Sequence, residues 1–296
     1  MTVAAHEPVM VAETVALLEP SRGGVFVDCT VGLGGHARAL LEAGASRVLA
    51  LDRDPEALQI ARARLEAFGG RVELVHADYR DLGRVLDEHQ IPGVAGGLAD
   101  LGVSSMQLDA DGRGFSFRRD EPLDMRMDQS QGPTAADLLR DVAEEDLANV
   151  IFQHGEERFS RRIARAIVEA RRAGAIATTG QLAQLVRRVV PKRGYQRIDP
   201  ATRTFQALRI WVNRELDQLE AFLADACARL LVGARLVVIT FHSLEDRIVK
   251  HAFRALAHGR ATLRILTKRP LVPGEAELDR NPRARSAKLR AIERLA

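Results

Sequence analysis

The sequence predicts an α/β fold: an open, doubly wound parallel sheet interrupted after its fourth strand by an all-helical insertion. Three observations predict it. Short apolar runs alternate with helical patterns over roughly the first hundred of the 296 residues. A glycine-rich turn joins the first apolar run to its helix. Strand patterning then lapses over residues 108–212 and resumes near residue 234.

The elements follow in order. Residues 25–30 read as a buried strand, and a helix over 36–43 is stopped by Gly44. Residues 47–52 are a second strand. Asp54-Pro55 then opens a helix with an N-cap acid and a proline in its first turn, ending near Gly69-Gly70. A third strand spans 72–76, a helix 81–89, and a fourth strand ends at Asp100. The insertion begins with a polar loop, 109–131, followed by helical patterns over 135–154, 156–172 and 181–190. Asp199-Pro200 opens a long helix that continues, bent, to about residue 231. A strand over 234–241, a helix over 244–257, a strand over 263–267 and an alternating segment over 287–294 complete the chain. The expected domains are a sheet domain of residues 1–107 and 213–296 and a helical domain of residues 108–212.

The first strand and its turn carry the first chemistry. Gly32 permits a tight turn, and Gly34 and Gly35 let backbone approach a ligand. Asp52 ends the second strand, where a carboxylate can accept both hydroxyls of an adenosine ribose. Asp28, four residues before the loop, is expected at its mouth. A carboxylate there repels a pyrophosphate but suits the cationic amino group of S-adenosylmethionine. The glycine spacing alone also fits a dinucleotide, so a nicotinamide-dependent oxidoreductase is the competing enzyme reading.

Composition narrows the class. Two cysteines, Cys29 and Cys227, make no disulfide framework and point to a reducing cytoplasm. No apolar run approaches the roughly 20 residues of a membrane span. The N-terminus lacks the basic and apolar regions of a signal peptide. The chain carries a formal charge of only +3, yet residues 156–214 hold 14 basic against 4 acidic residues. A basic segment of this kind suits a polyanion. Nothing in the sequence settles an oligomeric state.

Each strand of the first half ends in polar residues: Asp28, Asp52, His76 with Asp78 and Tyr79, then Asp100. Asp78 suits a turn cap, and Tyr79 suits either packing or an adenine border. A carboxylate at Asp100 can accept a hydrogen bond from an exocyclic amine and hold its nitrogen toward a methyl donor. No Cys or His cluster has metal-ligand spacing, so no catalytic metal is expected. Neither cysteine follows a proline, which disfavours covalent attack at cytosine C6.

A set of motifs then resembles one bacterial family in order and over nearly the whole chain. They include His6-x-Pro8-Val9-Met10, Gly32-x-Gly34-Gly35-His36, Asp52-Arg53-Asp54-Pro55 and Asp100-Leu101-Gly102-Val103-Ser104-Ser105. Further along stand Arg113-Gly114-Phe115-Ser116-Phe117, Pro122-Leu123-Asp124-Met125-Arg126-Met127-Asp128 and Gly155-Glu156-Glu157-Arg158. The last are the run from Ala201 to Ile210, Phe241-His242-Ser243-Leu244-Glu245-Asp246-Arg247 and Asn281-Pro282-Arg283-Ala284-Arg285-Ser286. The sequence resembles the S-adenosylmethionine-dependent 16S rRNA cytosine-N4 methyltransferases, RsmH or MraW. The resemblance implies a Rossmann-like class I methyltransferase sheet with an inserted helical domain. It implies S-adenosyl-L-methionine as cofactor, and N4 methylation of a cytidine in the decoding region of 16S rRNA, within the small ribosomal subunit. It places cofactor contacts on Gly34, Gly35, His36, Asp52, Tyr79, Asp100 and Gln107, with Asp100 also the candidate for positioning the amine. Met106 stands where the family commonly has proline, and Tyr79 where it has phenylalanine. The RNA is expected on the basic insertion, through Arg158, Arg161, Arg162 and Arg165 on one helix face and Arg193, Arg197, Arg203 and Arg209 about the long helix. The alternative from another class is a catalytically silent RNA-binding assembly factor.

Overall fold

The computed structural model describes residues 8–191, 198–259 and 262–296. His6, Arg193 and Arg197 lie outside the described residues. The chain divides into two compact units, Met1–Gly102 with Gln218–Ala296, and Val103–Asp217.

The first unit is built on one sheet. Helix α1 (Val11–Leu18) precedes strand β1 (Val25–Asp28), and α2 (Gly35–Glu42), β2 (Arg47–Asp52), α3 (Pro55–Leu65), β3 (Val72–His76), α4 (Leu82–Glu88) and β4 (Val94–Asp100) follow in alternation. After the second unit the chain returns through α11 (Leu219–Ala228), β5 (Leu230–Thr240), α12 (Ser243–Gly259), β6 (Leu263–Ile265), α13 (Glu275–Arg280) and β7 (Lys288–Arg294). The strand order is β3-β2-β1-β4-β5-β7-β6. The five strands from β3 to β5 are parallel, and β7 is antiparallel to both its neighbours. The all-parallel expectation is therefore corrected at one edge. Order reverses between β1 and β4, the switch point at which open α/β sheets bind ligands.

Both faces of the sheet are covered, which is why its strands read as unbroken apolar runs. Residues of one parity, such as Val27, Leu49, Leu51, Leu236 and Val238, pack beneath α4, α11 and α12. Their neighbours Phe26, Val48, Ala50, Val237 and Ile239 pack under α1, α2 and α3. Cys29 and Cys227 are free and buried in the first of these layers.

The second unit holds α5 (Ser105–Asp109), α6 (Ala135–Asp141), α7 (Glu144–Gly155), α8 (Ser160–Ala173), α9 (Thr179–Val189) and α10 (Ala201–Asn213) around one apolar cluster. Its borders fall at 102/103 and 217/218, where patterning places them at 107/108 and 212/213. At the first border, Val103 packs against the helical cluster. Two predicted helices are each split. Over 135–154 the break is at Val142 and Ala143, both extended, and the Arg171 guanidinium donates to the carbonyls of Leu139 and Val142 there. The long helix from Asp199 stops at Asn213, because Arg214 and Gln218 adopt left-handed backbone with φ of 51° and 58°.

Candidate functional site

The glycine turn is shaped by its own unit. Gly34 is the left-handed N-cap of α2, with φ of 86°. A Cβ on Gly35 would lie 2.7 Å from Cγ of Pro8, and one on Gly34 3.0 Å from Leu65. The small residues are therefore required already by packing against the N-terminal segment and α3, before any ligand approaches.

Hydrogen bonds tie the strand tips to this turn. Gly32 N–H donates to Asp52 Oδ2 at 2.7 Å, and Asp54 N–H donates to Asp52 Oδ1 at 2.9 Å. Asp52 thus holds the turn open and keeps further acceptor capacity on each oxygen. Burial pushes its pKa up to about 6, against the pull of those two N–H groups. At the next tip, Asp100 N–H donates to the Thr30 hydroxyl at 2.7 Å, which fixes the end of β4 beside that of β1. Thr30 is a positioning residue that motif reading did not single out, since a lone threonine after a strand carries no spacing signal.

Asp28 corrects its predicted location. It is fully buried beneath the turn, not at an open mouth. One carboxylate oxygen accepts the Thr30 N–H at 3.2 Å, and the other is buried with no partner among the described residues. Burial pushes its pKa up to about 7, opposed by His36 and the Thr30 N–H and reinforced by Asp100 and Asp52. His36, in the first turn of α2, places Nε2 3.5 Å from Asp100 Oδ2. Burial disfavours its cation, but Asp100, then Asp28 and Glu277, outweigh that and raise its pKa. Among the described residues, Asp28 Oδ2, Asp100 Oδ1 and His36 Nδ1 are buried without a hydrogen-bond partner, and His36 Nε2 has only the 3.5 Å approach to Asp100. Buried polar atoms of this kind, gathered at neighbouring strand tips, call for a polar partner.

The remaining predicted contacts are placed differently. The Asp78 carboxylate caps Arg80 N–H and grips the Arg80 guanidinium at 2.8 and 2.9 Å, and desolvation fails to offset these contacts, so its pKa is lowered. Tyr79 is buried, its ring centroid 4.8 Å from that of Phe222. Gln107 belongs to the helical unit, where it and Ser104 form a reciprocal cap of α5. Met106 sits inside that capped turn. His242 and Glu245 form a second reciprocal cap at the start of α12: Glu245 accepts from Phe241 and His242 N–H, and Glu245 N–H donates to His242 Nδ1. The His242 motif therefore serves the chain path after β5.

Of the basic residues in the helical unit, Arg161, Arg162 and Arg165 are exposed on α8. Arg165 meets Glu144 at 3.4 Å. Arg158 is exposed in the turn before α8, over the Phe159 ring, so it does not share the helix face. Arg203 donates to the Glu156 carbonyl. Arg209 is committed to a bidentate pair with Glu215 at 2.8 and 2.7 Å and is withdrawn as a phosphate contact. Another unpredicted device is Asn213, which accepts from Met127 N–H and donates to the Met125 carbonyl, clamping the loop after α5.

A β3-β2-β1-β4-β5-β7-β6 sheet with acidic tips around a glycine turn defines the class: a Rossmann-like class I methyltransferase. The chain belongs to the MraW methylase family, whose model matches residues 3–295. Its cofactor is S-adenosyl-L-methionine. A protein of Nitrobacter winogradskyi named ribosomal RNA small subunit methyltransferase H is 52% identical over 302 residues, covering 98% of this chain and 90% of its own. Proteins of the same name from Geobacter sulfurreducens and Sorangium cellulosum are each 51% identical, covering 98% of this chain and 99% and 91% of theirs. Among the described residues no helix is long and apolar enough to cross a membrane.

Proposed function

We propose that this protein methylates the exocyclic N4 of a cytidine in small-subunit rRNA, in the decoding region and within the small ribosomal subunit, in the cytoplasm. The observation that carries this is the tip of β4. Asp100 stands at the switch point, its N–H held by Thr30 and its Oδ1 without a hydrogen-bond partner among the described residues. The names of the relatives supply rRNA of the small subunit as substrate class.

The residues divide the work. Asp52 receives the ribose hydroxyls, and the backbone of Gly34, Gly35 and His36 borders the donor. Asp28 faces its ammonium, and Tyr79 borders the adenine. S-adenosyl-L-methionine, when bound, supplies a methyl group already activated by its sulfonium charge. Asp100 accepts a hydrogen bond from the cytosine amine and turns the nitrogen toward that methyl, and the amine's proton leaves after attack. Positioning of this sort contributes about 7–11 kcal/mol in well-oriented systems. Both cysteines are buried in packing positions, which supports a route without a covalent enzyme–base bond. The helical unit holds RNA through Arg158, Arg161, Arg162 and Arg165, with Arg203 contributing.

Incubation with radiolabelled donor and either naked rRNA or small subunits, then digestion to nucleosides, tests the reading. N4-methylcytidine is the expected product. Label at C5 or on another base would overturn the N4 assignment, and RNA binding without any transfer would favour the assembly-factor reading.

A further inference from the structure

The motif Asn281-Pro282-Arg283-Ala284-Arg285-Ser286 has no part in the cofactor site just described, yet the fold delivers it to the same edge. Because β7 runs antiparallel, its first residues lie at the carboxyl edge of the parallel strands. Lys288 pairs with Thr240 and Leu289 with Ile239, and Ile239 pairs with Asp100 on its other side. The 3-10 turn Pro282–Ser286 thus sits just beyond the strand ends where Asp100 stands.

The turn is anchored and ordered. Ala284 is fully buried, in the same apolar cluster as Val9, Met10, Val31 of the glycine turn and Ala37 of α2. Asn281 Oδ1 accepts Arg283 N–H at 3.2 Å, Asn281 O accepts Ala284 N–H at 3.0 Å, and Ala287 N–H closes on Ala284 O at 2.8 Å. On α13, Glu277 Oε1 accepts Met10 N–H at 2.7 Å, which ties this region to the segment lying over Gly35. The buried alanine is flanked by two exposed arginines, Arg283 and Arg285. Arg285 has no ion pair among the described residues. Residues 268–290 hold seven basic against three acidic residues, although the sheet unit as a whole lacks the basic excess of residues 156–214.

We propose that Arg283 and Arg285 form a phosphate clamp on the sheet unit that grips the RNA backbone beside the nucleotide whose base reaches Asp100. This rests on RNA being the substrate. A base presented to a pocket brings its flanking phosphates to the rim, and guanidinium forks match phosphate oxygens. A rigid turn beside the strand tips holds those forks in place before the RNA arrives, so little is lost in ordering them.

The test compares wild type, Arg283→Ala/Arg285→Ala, Arg283→Lys/Arg285→Lys, and an Arg62→Ala/Arg64→Ala control on the exposed face of α3. Each is assayed for salt-dependent binding to small-subunit rRNA, for steady-state methyl transfer and for donor affinity by calorimetry. The alanine pair should raise KM for RNA about tenfold, leave kcat and donor affinity unchanged, and flatten the slope of log affinity against log salt by one to two, at about 0.7–0.9 per lost phosphate contact. The lysine pair should keep the slope while losing part of the affinity, and the control should match wild type. An alanine pair that binds and turns over RNA like a transferring wild type overturns the clamp alone. One that loses donor affinity in step with RNA affinity also overturns it, by making the turn a prop for the glycine loop. A wild type that transfers no methyl to rRNA overturns the substrate reading and the clamp together.

Discussion

A proton on Asp28 should compete with the methyl donor. The carboxyl is fully buried, one oxygen has no partner among the described residues, and its pKa is pushed up to about 7. An ammonium beside that oxygen needs the charged form, so below pH 7 donor binding must expel a proton. Ionised Asp28 falls from about half of molecules at pH 7 to about one in a hundred at pH 5, a loss of about fiftyfold in affinity, or ~2.3 kcal/mol at 1.36 kcal/mol per pKa unit. Asp52, with its pKa pushed up to about 6, adds a second proton below pH 6. Calorimetry in buffers of different ionisation enthalpy reads both terms. Release of roughly one and a half protons near pH 6, rising toward two at pH 5, is expected. The window stops at pH 7 because the donor's own α-amino group titrates at about 7.7–8.0. Asp28→Asn should bind donor more weakly at pH 7 and keep only the Asp52 dependence. A wild-type affinity flat from pH 5 to 7, or an Asn variant with the wild-type slope, would refute the reasoning.

The other predictions concern single positions. Asp52→Ala should weaken donor binding by roughly 1–3 kcal/mol, since ribose hydroxyls lose their acceptor; unchanged affinity in a folded variant, by calorimetry, would remove Asp52 from the site. Gly35→Ala should lose roughly 1–3 kcal/mol of stability in chemical denaturation, because its Cβ meets Pro8 at 2.7 Å; a neutral result would mean that Pro8 gives way. Asp100→Ala should slow single-turnover transfer at saturating donor, and recovery of the wild-type rate there would reduce Asp100 to a binding residue. Neutralising Arg158, Arg161, Arg162 and Arg165 together should flatten the salt dependence of RNA affinity and spare donor binding, and an unchanged slope would return these arginines to a solvated surface.

What the sequence made legible was what burial and turn chemistry dictate locally. Strands covered on both faces leave unbroken apolar runs, so residues 25–28, 47–52, 72–76 and 94–100 stood out, as did the acids that close three of them. Helix breaks without glycine or proline were not legible. The stop at 142–143 depends on Arg171, about 30 residues away, donating to carbonyls at the end of α6. The stop at Asn213 depends on a left-handed arginine, and on Asn213 itself binding the Met125 to Met127 loop. The reversal of β7 was invisible for a related reason: strand direction is set by the path of the preceding chain, not by period. Charge readings failed where a partner lay nearby in space. Arg209 counted toward the basic excess, but Glu215 neutralises it.

The acids at the strand tips also set a conflict between stability and binding. A carboxyl whose folded pKa lies above its unfolded value binds a proton more tightly when folded. Its contribution is fully present below the unfolded pKa of 3.8 and is lost as pH rises through the folded pKa, about 7 for Asp28 and about 6 for Asp52. For Asp28 alone the span corresponds to something on the order of 4 kcal/mol, an upper bound because His36 titrates with it. The ligand-free fold is thus least favoured, through these groups, in the pH range where their charged forms suit the donor. On the proposed reading, donor binding reverses the sign, since its cation would hold Asp28 ionised. An apolar residue at position 28 would relieve the burial cost and leave the ammonium without a counter-charge. The buried Asp28 oxygen, without a partner among the described residues, thus fits the proposed donor site, where its burial cost is offset on binding.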